Sequence, residues 1–529
     1  MSDVFYISTA IDYTNGSPHI GHAYEKVLAD VIARYQRLKG KEVYFLTGVD
    51  QHGQKVQQSA EKEGVHPATF VKKLTKKFVK LWDLLEVDYD GWAETIDERH
   101  KLCVQKILTQ LHEQGQIYKK AYKGHYSVRQ EQFLTDRERN EAGEFGPEWG
   151  EVVELEEENY YFRLSEHATW LKDFVENSDD FIIPSLRKSE VLNVLDRAGE
   201  NDLCISRPKA RLRWGIEFPF DPEFVTYVWF DALINYISFA GYQASEEADL
   251  PEFEKLWPAQ LHVIGKDIMV PAHAVYWPTM LHAMGFTDEQ IPSLLVHGWW
   301  NLKSKDGGTE KMSKSLGNVV DPVELAEKFG VDAVRYYLVR DIHTGKDSDF
   351  DVERLVMLFN TELANNLGNL CNRALNMTKR FLGGELVAGE FEDESCAALR
   401  AKLPECLERY TTAMDSYKVS DALAAVIEYI TAANIFAEQH RPWELAKDEE
   451  QKERLASVLN HMAAVTAHAT VLLNPIVPTA CERLRAQLQA PHLADLKLAD
   501  LKWDILPVGH ATAKPKPVFP RIQLDKEEG

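Results

Sequence analysis

The first 53 residues constrain the fold more than any other stretch of the chain. Val4 to Ala10 reads as a buried strand, and Asn15-Gly16-Ser17-Pro18 is a cluster of turn formers. From Gly21 to Leu38 the apolar residues Val27, Val31, Ile32, Tyr35 and Leu38 recur at helical spacing, and Gly40 ends the run. Val43-Tyr44-Phe45-Leu46 is a second strand, followed by the polar loop Gly48 to Gly53. Strand, helix, strand with short links predicts a parallel sheet covered by helices, with a site at the carboxyl ends of the strands. Thr95 and Glu98 read as a capping box that opens a further helix.

Beyond this unit the pattern changes twice. From about Tyr118 to Phe220 short aromatic runs, Gly124-His125-Tyr126 and Tyr160-Tyr161-Phe162, flank an acidic stretch around Glu148 to Glu158, which reads as an insertion. Buried-strand character returns at Val225 to Phe230 and at Leu261 to Ile264. Past Asp351 the pattern is almost entirely helical, broken at Pro442, Pro475 and Pro478, with an extended or loose tail from His510. At 529 residues there is room for three or four domains.

No apolar run approaches the ~20 residues of a membrane span, and the chain opens directly on a strand with no signal-like segment, so a cytoplasmic protein is expected. None of the six cysteines forms a C-x-x-C pair, which suits reduced core thiols. The net charge of −23 argues against non-specific polyanion binding. Any nucleic acid must be gripped at local basic and aromatic patches. The lysines at 72, 73, 76, 77 and 80 form one cluster, though such a run is more often a solvated helix face.

Two short segments carry chemistry. His19-Ile20-Gly21-His22 sits where the first helix begins, and helix N-termini offer free N–H groups and partial positive charge to a phosphate. Lys311-Met312-Ser313-Lys314-Ser315 follows Gly307-Gly308, a polar loop whose lysines can neutralise charge during phosphate transfer. Either segment alone is a packed turn or a solvated basic turn. In this order, on a strand–turn–helix and a Gly-rich loop, the pair resembles the class I aminoacyl-tRNA synthetases.

Within that class the length leaves no room for the large editing insertion of the isoleucyl, valyl and leucyl members, and no cysteine set matches the zinc of the cysteinyl member. The chain is most similar to the methionyl branch along nearly its whole length. The similarity runs through Tyr13-Thr14-Asn15-Gly16, Thr47 to Gly53, Tyr227 to Ala232, Gly265-Lys266-Asp267-Ile268 and Arg441-Pro442-Trp443.

The resemblance implies an α/β Rossmann-like catalytic domain split over 1–117 and 221–325. It further implies an inserted connective-peptide domain at 118–220, a stem-contact linker at 326–350 and an all-α anticodon-binding bundle at 351–529. It implies methionine, ATP, Mg2+ and tRNA as partners, with no membrane. Asp50 is expected to take the α-ammonium of methionine. Ala10, Ile11, Tyr13, Trp229, Ala232, Tyr236, Ile268, His273 and Trp277 are expected around the side chain, where a thioether gains both area and sulfur–aromatic contact. His19, Gly21, His22, Lys311 and Lys314 are expected at ATP, with Glu217, Gly265, Asp267 and Trp300 near the nucleoside and Arg207 at the reacting phosphate. Asn369 and Arg373, one helical turn apart, and Trp443 are expected to read unstacked anticodon bases.

Three departures from the branch pattern stand out. Tyr126 to Glu131 lacks the cysteines of the zinc knuckle that many members carry, and the second pair falls near Gly146 and Trp149, so no structural zinc is expected; Phe133, Phe145 and Trp149 are expected to hold the knuckle by packing. Gln51 replaces a common glutamate, and the run from Ile268 to His273 is one residue longer than usual, which puts the placement of His273 in question. The chain ends soon after Phe519-Pro520-Arg521, without the appended dimerising domain of some members, so a monomer is expected. Two rival readings remain: a small-molecule nucleotidyltransferase, which has no need of the helical region, and a synthetase-like tRNA-binding protein without activity, in which degenerate signatures are expected.

Overall fold

The computed structural model describes residues 4–128, 132–134, 138–140, 142–198, 201–303, 309–311 and 320–524. Its centre is a seven-stranded parallel sheet of β1 (Val4–Thr9), β2 (Asp12–Tyr13), β3 (Glu42–Asp50), β4 (Gly91–Glu94), β5 (Ile182–Ile183), β6 (Leu261–Gly265) and β7 (Ser293–His297). The order across the sheet is β2-β3-β1-β6-β7-β5, with β4 also on β3. The chain therefore builds outward from β1 in one direction first and later in the other, which leaves a crevice at the carboxyl end of β1. Helix α1 (Ile20–Leu38) covers one face and is buried along Val27, Leu28, Val31, Ile32 and Tyr35, as its apolar spacing predicts.

Four local readings of the sequence are corrected. The helix Glu98–Glu113 is capped by Asp97, whose carboxylate accepts from Arg99 N, while the Thr95 hydroxyl accepts from Gln51 N instead. The run Val225 to Phe230 is not one strand: the strand ends at Thr226, and Val228 opens helix α2 (Val228–Ser238). The acidic stretch is itself most of a strand, Val152–Phe162, paired antiparallel along its whole length with Ile117–Ser127. Opposed charges such as Lys123 and Glu154 offset the poor strand preference of glutamate. Finally, β5 lies within the 118–220 segment yet joins the central sheet, parallel to β7, so that segment is not set apart from the sheet.

The chain then enters helices: α3 (Val331–Arg340), α4 (Asn369–Phe381), α5 (Glu394–Asp415), α6 (Val419–His440) and α7 (Lys452–Leu472). One hydrophobic core runs without a break from Ile7 and Val31 beside the sheet to Leu370, Val426 and Leu459 in the bundle. Arg335 of α3, fully buried, rivets the junction. Its guanidinium donates to Asp30 Oδ2 at 2.6 Å, Leu85 O at 2.8 Å, Ile476 O at 2.8 Å and Pro475 O at 3.0 Å. The stretches Val419–Leu445 and Glu449–Leu472 are long and apolar enough to cross a membrane, but 94% of the apolar window of the second is buried in the bundle. The tail wraps back: Ala511 bridges to Glu385, and Ile522 exchanges hydrogen bonds with the Asn360 amide.

Candidate active site

A cavity of about 540 Å³ lies over the crevice. Four strand ends feed it: Ala10 just after β1, Asp50 at the end of β3, Gly265 at the end of β6 and His297 at the end of β7. His19, Gly21 and His22 at the start of α1, and Trp229, Ala232 and Tyr236 of α2, complete much of the wall with Ile11, Tyr13, Asp267, Ile268, His273 and Trp300. Most of the expected methionine and ATP residues are thus brought to one space.

The histidine segment builds its own N-terminus. His19 Nδ1 accepts from Gly21 N and His22 Nδ1 accepts from His19 N, both at 3.1 Å, a reciprocal cap that satisfies two helix donors. A neutral ring that accepts at Nδ1 carries its proton on Nε2, so the cap selects the tautomer of each ring. The rings lie 3.8 Å apart, and a Cβ on Gly21 would meet His19 Cε1 at 2.9 Å, so any side chain there would have to displace the His19 ring.

On α2, Tyr236 and its neighbours form an aromatic wall. His273 Nδ1 donates to Ile268 O at 2.9 Å, so Nε2 accepts from the Tyr236 hydroxyl at 2.8 Å. Burial pushes His273 down to about 4, and it is neutral at physiological pH. The run from Ile268 to His273 leaves helical geometry at Val270 (φ −116°, ψ 129°), and His273 lies on the cavity wall. The Gln51 amide, in place of a carboxylate, donates to Thr75 Oγ1 and Glu94 Oε2.

Two buried charge networks that the motifs do not reveal adjoin the cavity, and Asp12, Glu25 and His297 of the first line it. Lys26, with no exposed surface, donates to Asp12 Oδ1 at 2.9 Å, Glu25 Oε1 at 2.7 Å and Ala10 O at 2.8 Å. Glu25 Oε2 lies 3.1 Å from His297 Nε2. Burial pulls the Lys26 ammonium down, but Asp12 and Glu25 outweigh it and raise it overall. Behind the Asp50 loop, Asp231 bridges two imidazoles, at 2.7 Å to His52 Nδ1 and 2.9 Å to His100 Nε2, and His100 Nδ1 meets Ser238 Oγ at 2.8 Å. Burial pushes the Asp231 carboxyl up, and the two histidines reverse this and hold it at about 2. The one sequence signal was Glu25-Lys26 amid Ala23, Tyr24, Val27 and Leu28, charges on a stripe with no solvated side.

Several expected residues stand elsewhere. Trp277 does not line the cavity; it lies behind Tyr236 and donates to His262 Nε2 at 3.2 Å. Glu217 is exposed on the strand Glu217–Phe218, with its carboxylate 2.6 Å from Lys209 Nζ. Arg207 is buried with its guanidinium over Tyr227 at 4.5 Å, and it faces a second cavity. Trp300 turns its ring inward against Tyr24 and Tyr337, so its backbone forms the wall. The backbone of Lys311 pairs with Asn301, next to Trp300 on the rim, while Lys314 lies outside the described residues. In the knuckle region, Ser127 Oγ donates to Trp149 O at 2.6 Å and Phe145 lies under the Arg139 guanidinium at 4.2 Å; the Phe133 side chain lies outside the description.

In the bundle, Arg373 of α4 lies over the Trp443 ring at 4.7 Å and reaches Glu438 at 2.7 Å, with Asn369 exposed one turn earlier. Arg441 takes a left-handed conformation (φ 49°) that turns the chain after α6, with Pro442 buried and Trp443 half-buried beneath the Arg373 guanidinium.

Comparison with known proteins agrees with this architecture. The family described as class I tRNA synthetases (M) matches residues 5–143 and 149–375. The anticodon binding domain of methionyl tRNA ligase matches residues 387–529. A methionine–tRNA ligase of Fusobacterium nucleatum is 38% identical over 534 residues, covering 100% of this chain and 81% of the relative. One from Bacillus subtilis is 39% identical, covering 99% and 79%. The structure of a Mycobacterium tuberculosis methionyl-tRNA synthetase in complex with methionyl-adenylate superposes with a TM-score of 0.88 at 36% identity, covering 98% of this chain and 100% of that one. The apo form of the same protein gives 0.83 at 34% identity, covering 99% of each chain.

Proposed function

The chain belongs to the class I methionyl-tRNA synthetases, and we propose that its 540 Å³ cavity is where methionine and ATP are joined before transfer to tRNA. The reaction is the ATP-dependent ligation of methionine to tRNA(Met). A methionine carboxylate oxygen attacks the α-phosphorus of ATP, the bond to the β-phosphate breaks, and pyrophosphate leaves. The 2′-hydroxyl of the terminal tRNA adenosine then attacks the carbonyl carbon of methionyl-adenylate, and AMP leaves.

The proposed roles follow from placement. Asp50, buried at the end of β3, takes the α-ammonium. Ala10, Ile11, Tyr13, Trp229, Ala232, Tyr236, Ile268 and His273 enclose the thioether. One methylene is worth only ~1–3 kcal/mol, so selectivity rests on the fit of this wall. A neutral His273 fixed by Ile268 O suits that task, because it presents no charge to an apolar side chain. His19 and His22 present Nε2–H to phosphate oxygens. Gly265, Asp267 and the Trp300 backbone flank the nucleoside, and Lys311 and Lys314 neutralise charge as pyrophosphate departs. Mg2+, which keeps most of its ligands from water and phosphate, would enter with the triphosphate, with Asp267 as the exposed carboxylate on that rim.

Arg373 and Trp443 offer a cation and a stacking plane to anticodon bases, with Asn369 as a hydrogen-bonding edge. This bundle is what the nucleotidyltransferase alternative has no use for. We further propose a cytoplasmic monomer without structural zinc; a stable dimer in light scattering overturns the monomer.

The observation that carries this reading is the convergence of His19, His22, Asp50 and the aromatic wall on one cavity. The deciding experiment is ATP–pyrophosphate exchange against a panel of amino acids. Exchange that depends on methionine alone is expected; exchange with none, or equally with several, refutes it.

A further inference from the structure

Resting on the reading above, we propose that Trp299 is a positioning residue for methionine activation: its indole N–H fixes the Asp267 carboxylate on the cavity rim, in the orientation that receives the nucleotide and its Mg2+. Trp299 Nε1 donates to Asp267 Oδ1 at 3.1 Å, and both residues line the cavity. Asp267 is exposed, and a carboxylate on a solvent-facing rim can take several staggered rotamers. A donor fixed on the neighbouring strand end selects one of them before the nucleotide arrives. Activation relies on positioning and on preset electrostatics, so a charge already in place is worth more than one that must be ordered on binding.

The indole is itself held in place. Trp299 stands two residues after β7, and its backbone N–H donates to Asp347 Oδ1 at 2.9 Å. The other oxygen of Asp347 accepts from Lys266 Nζ at 2.6 Å, and that ammonium lies 3.9 Å from the centroid of the Trp299 ring, well within cation–π reach. Lys266 and Asp267 follow β6 directly, so the contacts close into a circuit: Asp267 to Trp299, Trp299 to Asp347, Asp347 to Lys266, and Lys266 to Asp267 along the chain. Burial pushes the Asp347 carboxyl up, but Lys266 and the Trp299 N–H outweigh this and hold it below the usual range. Gly298 lets the two backbones meet, because a Cβ there would lie 2.1 Å from Lys346 O.

The two adjacent tryptophans differ in a telling way. Trp300 is 3% exposed, and its Nε1 finds no hydrogen-bond acceptor among the described residues, as suits a ring used for packing. Trp299 is half-buried, and its Nε1 meets a carboxylate. Phenylalanine would supply the same wall area without a donor, so the function of Trp299 lies in its N–H.

The test is a double-mutant cycle in the full chain. Trp299→Phe keeps a ring and deletes the donor. It should lower kcat/KM for Mg2+-ATP in pyrophosphate exchange about tenfold, the scale of one hydrogen bond to a charged group, while methionine affinity by calorimetry stays within about twofold. In an Asp267→Asn background the same substitution should cost less than about twofold, because the carboxylate it positions is already gone. If Asp267→Asn exchanges too slowly to measure, the cycle is read on Mg2+-ATP binding by calorimetry. Equal costs in both backgrounds mean a packing role and overturn the proposal, as do wild-type kinetics in Trp299→Phe. A second arm needs neither activity nor a change at Trp299. Among the indole N–H resonances of the 12 tryptophans, one should move upfield when Asp267→Asn removes the charge of its acceptor. This arm decides if Trp299→Phe misfolds, and a spectrum in which no indole resonance moves overturns the contact. Wild-type protein without methionine-dependent exchange refutes the reading above, while the indole shift still tests Trp299.

Discussion

Replacing Asp231 by asparagine removes one buried charge held between two imidazoles. The carboxylate touches no part of the cavity, yet His52, which it holds, donates its backbone N–H to Asp50 Oδ1 at 3.3 Å. Burial alone would raise the Asp231 carboxyl, and His52 and His100 lower it from 3.8 to about 2. At about 1.4 kcal/mol per pKa unit, the folded protein favours the ionised form by roughly 2 kcal/mol. A depressed carboxyl stabilises above its unfolded value and loses that contribution as pH falls through the folded one. The stability gap between wild type and Asp231→Asn should therefore be level from pH 8 to about 5 and close between about pH 4 and 2. For a catalytic domain of this size, roughly 2 kcal/mol corresponds to a loss of roughly 4–8 °C in the transition that reports it. Thermal unfolding followed by loss of exchange activity reads the gap across pH. The Michaelis constant for methionine should rise with it, because the Asp50 loop loses its anchor. A variant that melts with the wild type at pH 7, or a gap that widens in acid, refutes the argument.

Arg335→Met should cost about 1–3 kcal/mol by unpairing the buried carbonyls of Leu85, Ile476 and Pro475 and leaving Asp30 to Arg34 and the Asp88 amide; limited proteolysis should then cut near the junction, and an unchanged digestion pattern contradicts the rivet. Trp443→Ala should lower aminoacylation tenfold or more and leave pyrophosphate exchange intact; equal loss in both assays means a folding defect instead. Lys314→Ala should cut exchange by orders of magnitude while methionine binding, read by calorimetry, persists; near-normal exchange removes Lys314 from the activation step. Metal analysis of the purified protein should find zinc well below one equivalent, and a stoichiometric amount refutes a knuckle held by Ser127, Arg139 and Phe145.

How far the sequence revealed the fold depended on whether periodicity or pairing decides an element. Helix α1 and strand β1 carry enough residues for their period to stand out, and they fold as read, whereas β3 runs on to Asp50 through the Gly48 to Asp50 stretch read as loop, because β2 and β4 pair with it there. Val225 to Phe230 does not: six apolar-biased residues suit a strand or a buried helix equally, and Tyr227 caps α2 with no side-chain hydrogen bond to mark the boundary. The two residues of β5 have no period at all and exist only because β7 offers an edge. The acidic strand is legible only with its partner, since its glutamates face lysines some thirty residues earlier in the chain.

The candidate site divides along a similar line. His19, His22, Asp50 and Trp229 could be named from motifs because each faces the cavity, where a substrate limits which side chain serves. Lys26, Asp231 and Arg335 face only protein; apolar neighbours on both sides mark Lys26, but on a sequence Asp231 and Arg335 look like surface charges. Burial is what gives them meaning: an uncompensated ion at zero exposure costs several kcal/mol, so each must have found its partners during folding, 179 residues away for Asp231 and His52 and 305 for Arg335 and Asp30. Such pairs join the Asp50 loop to α2 and the sheet to the bundle, and each ties together segments that must sit in register before any substrate binds. A motif therefore locates where chemistry occurs, while the buried ion pairs determine how rigidly the pieces of that site are held to one another.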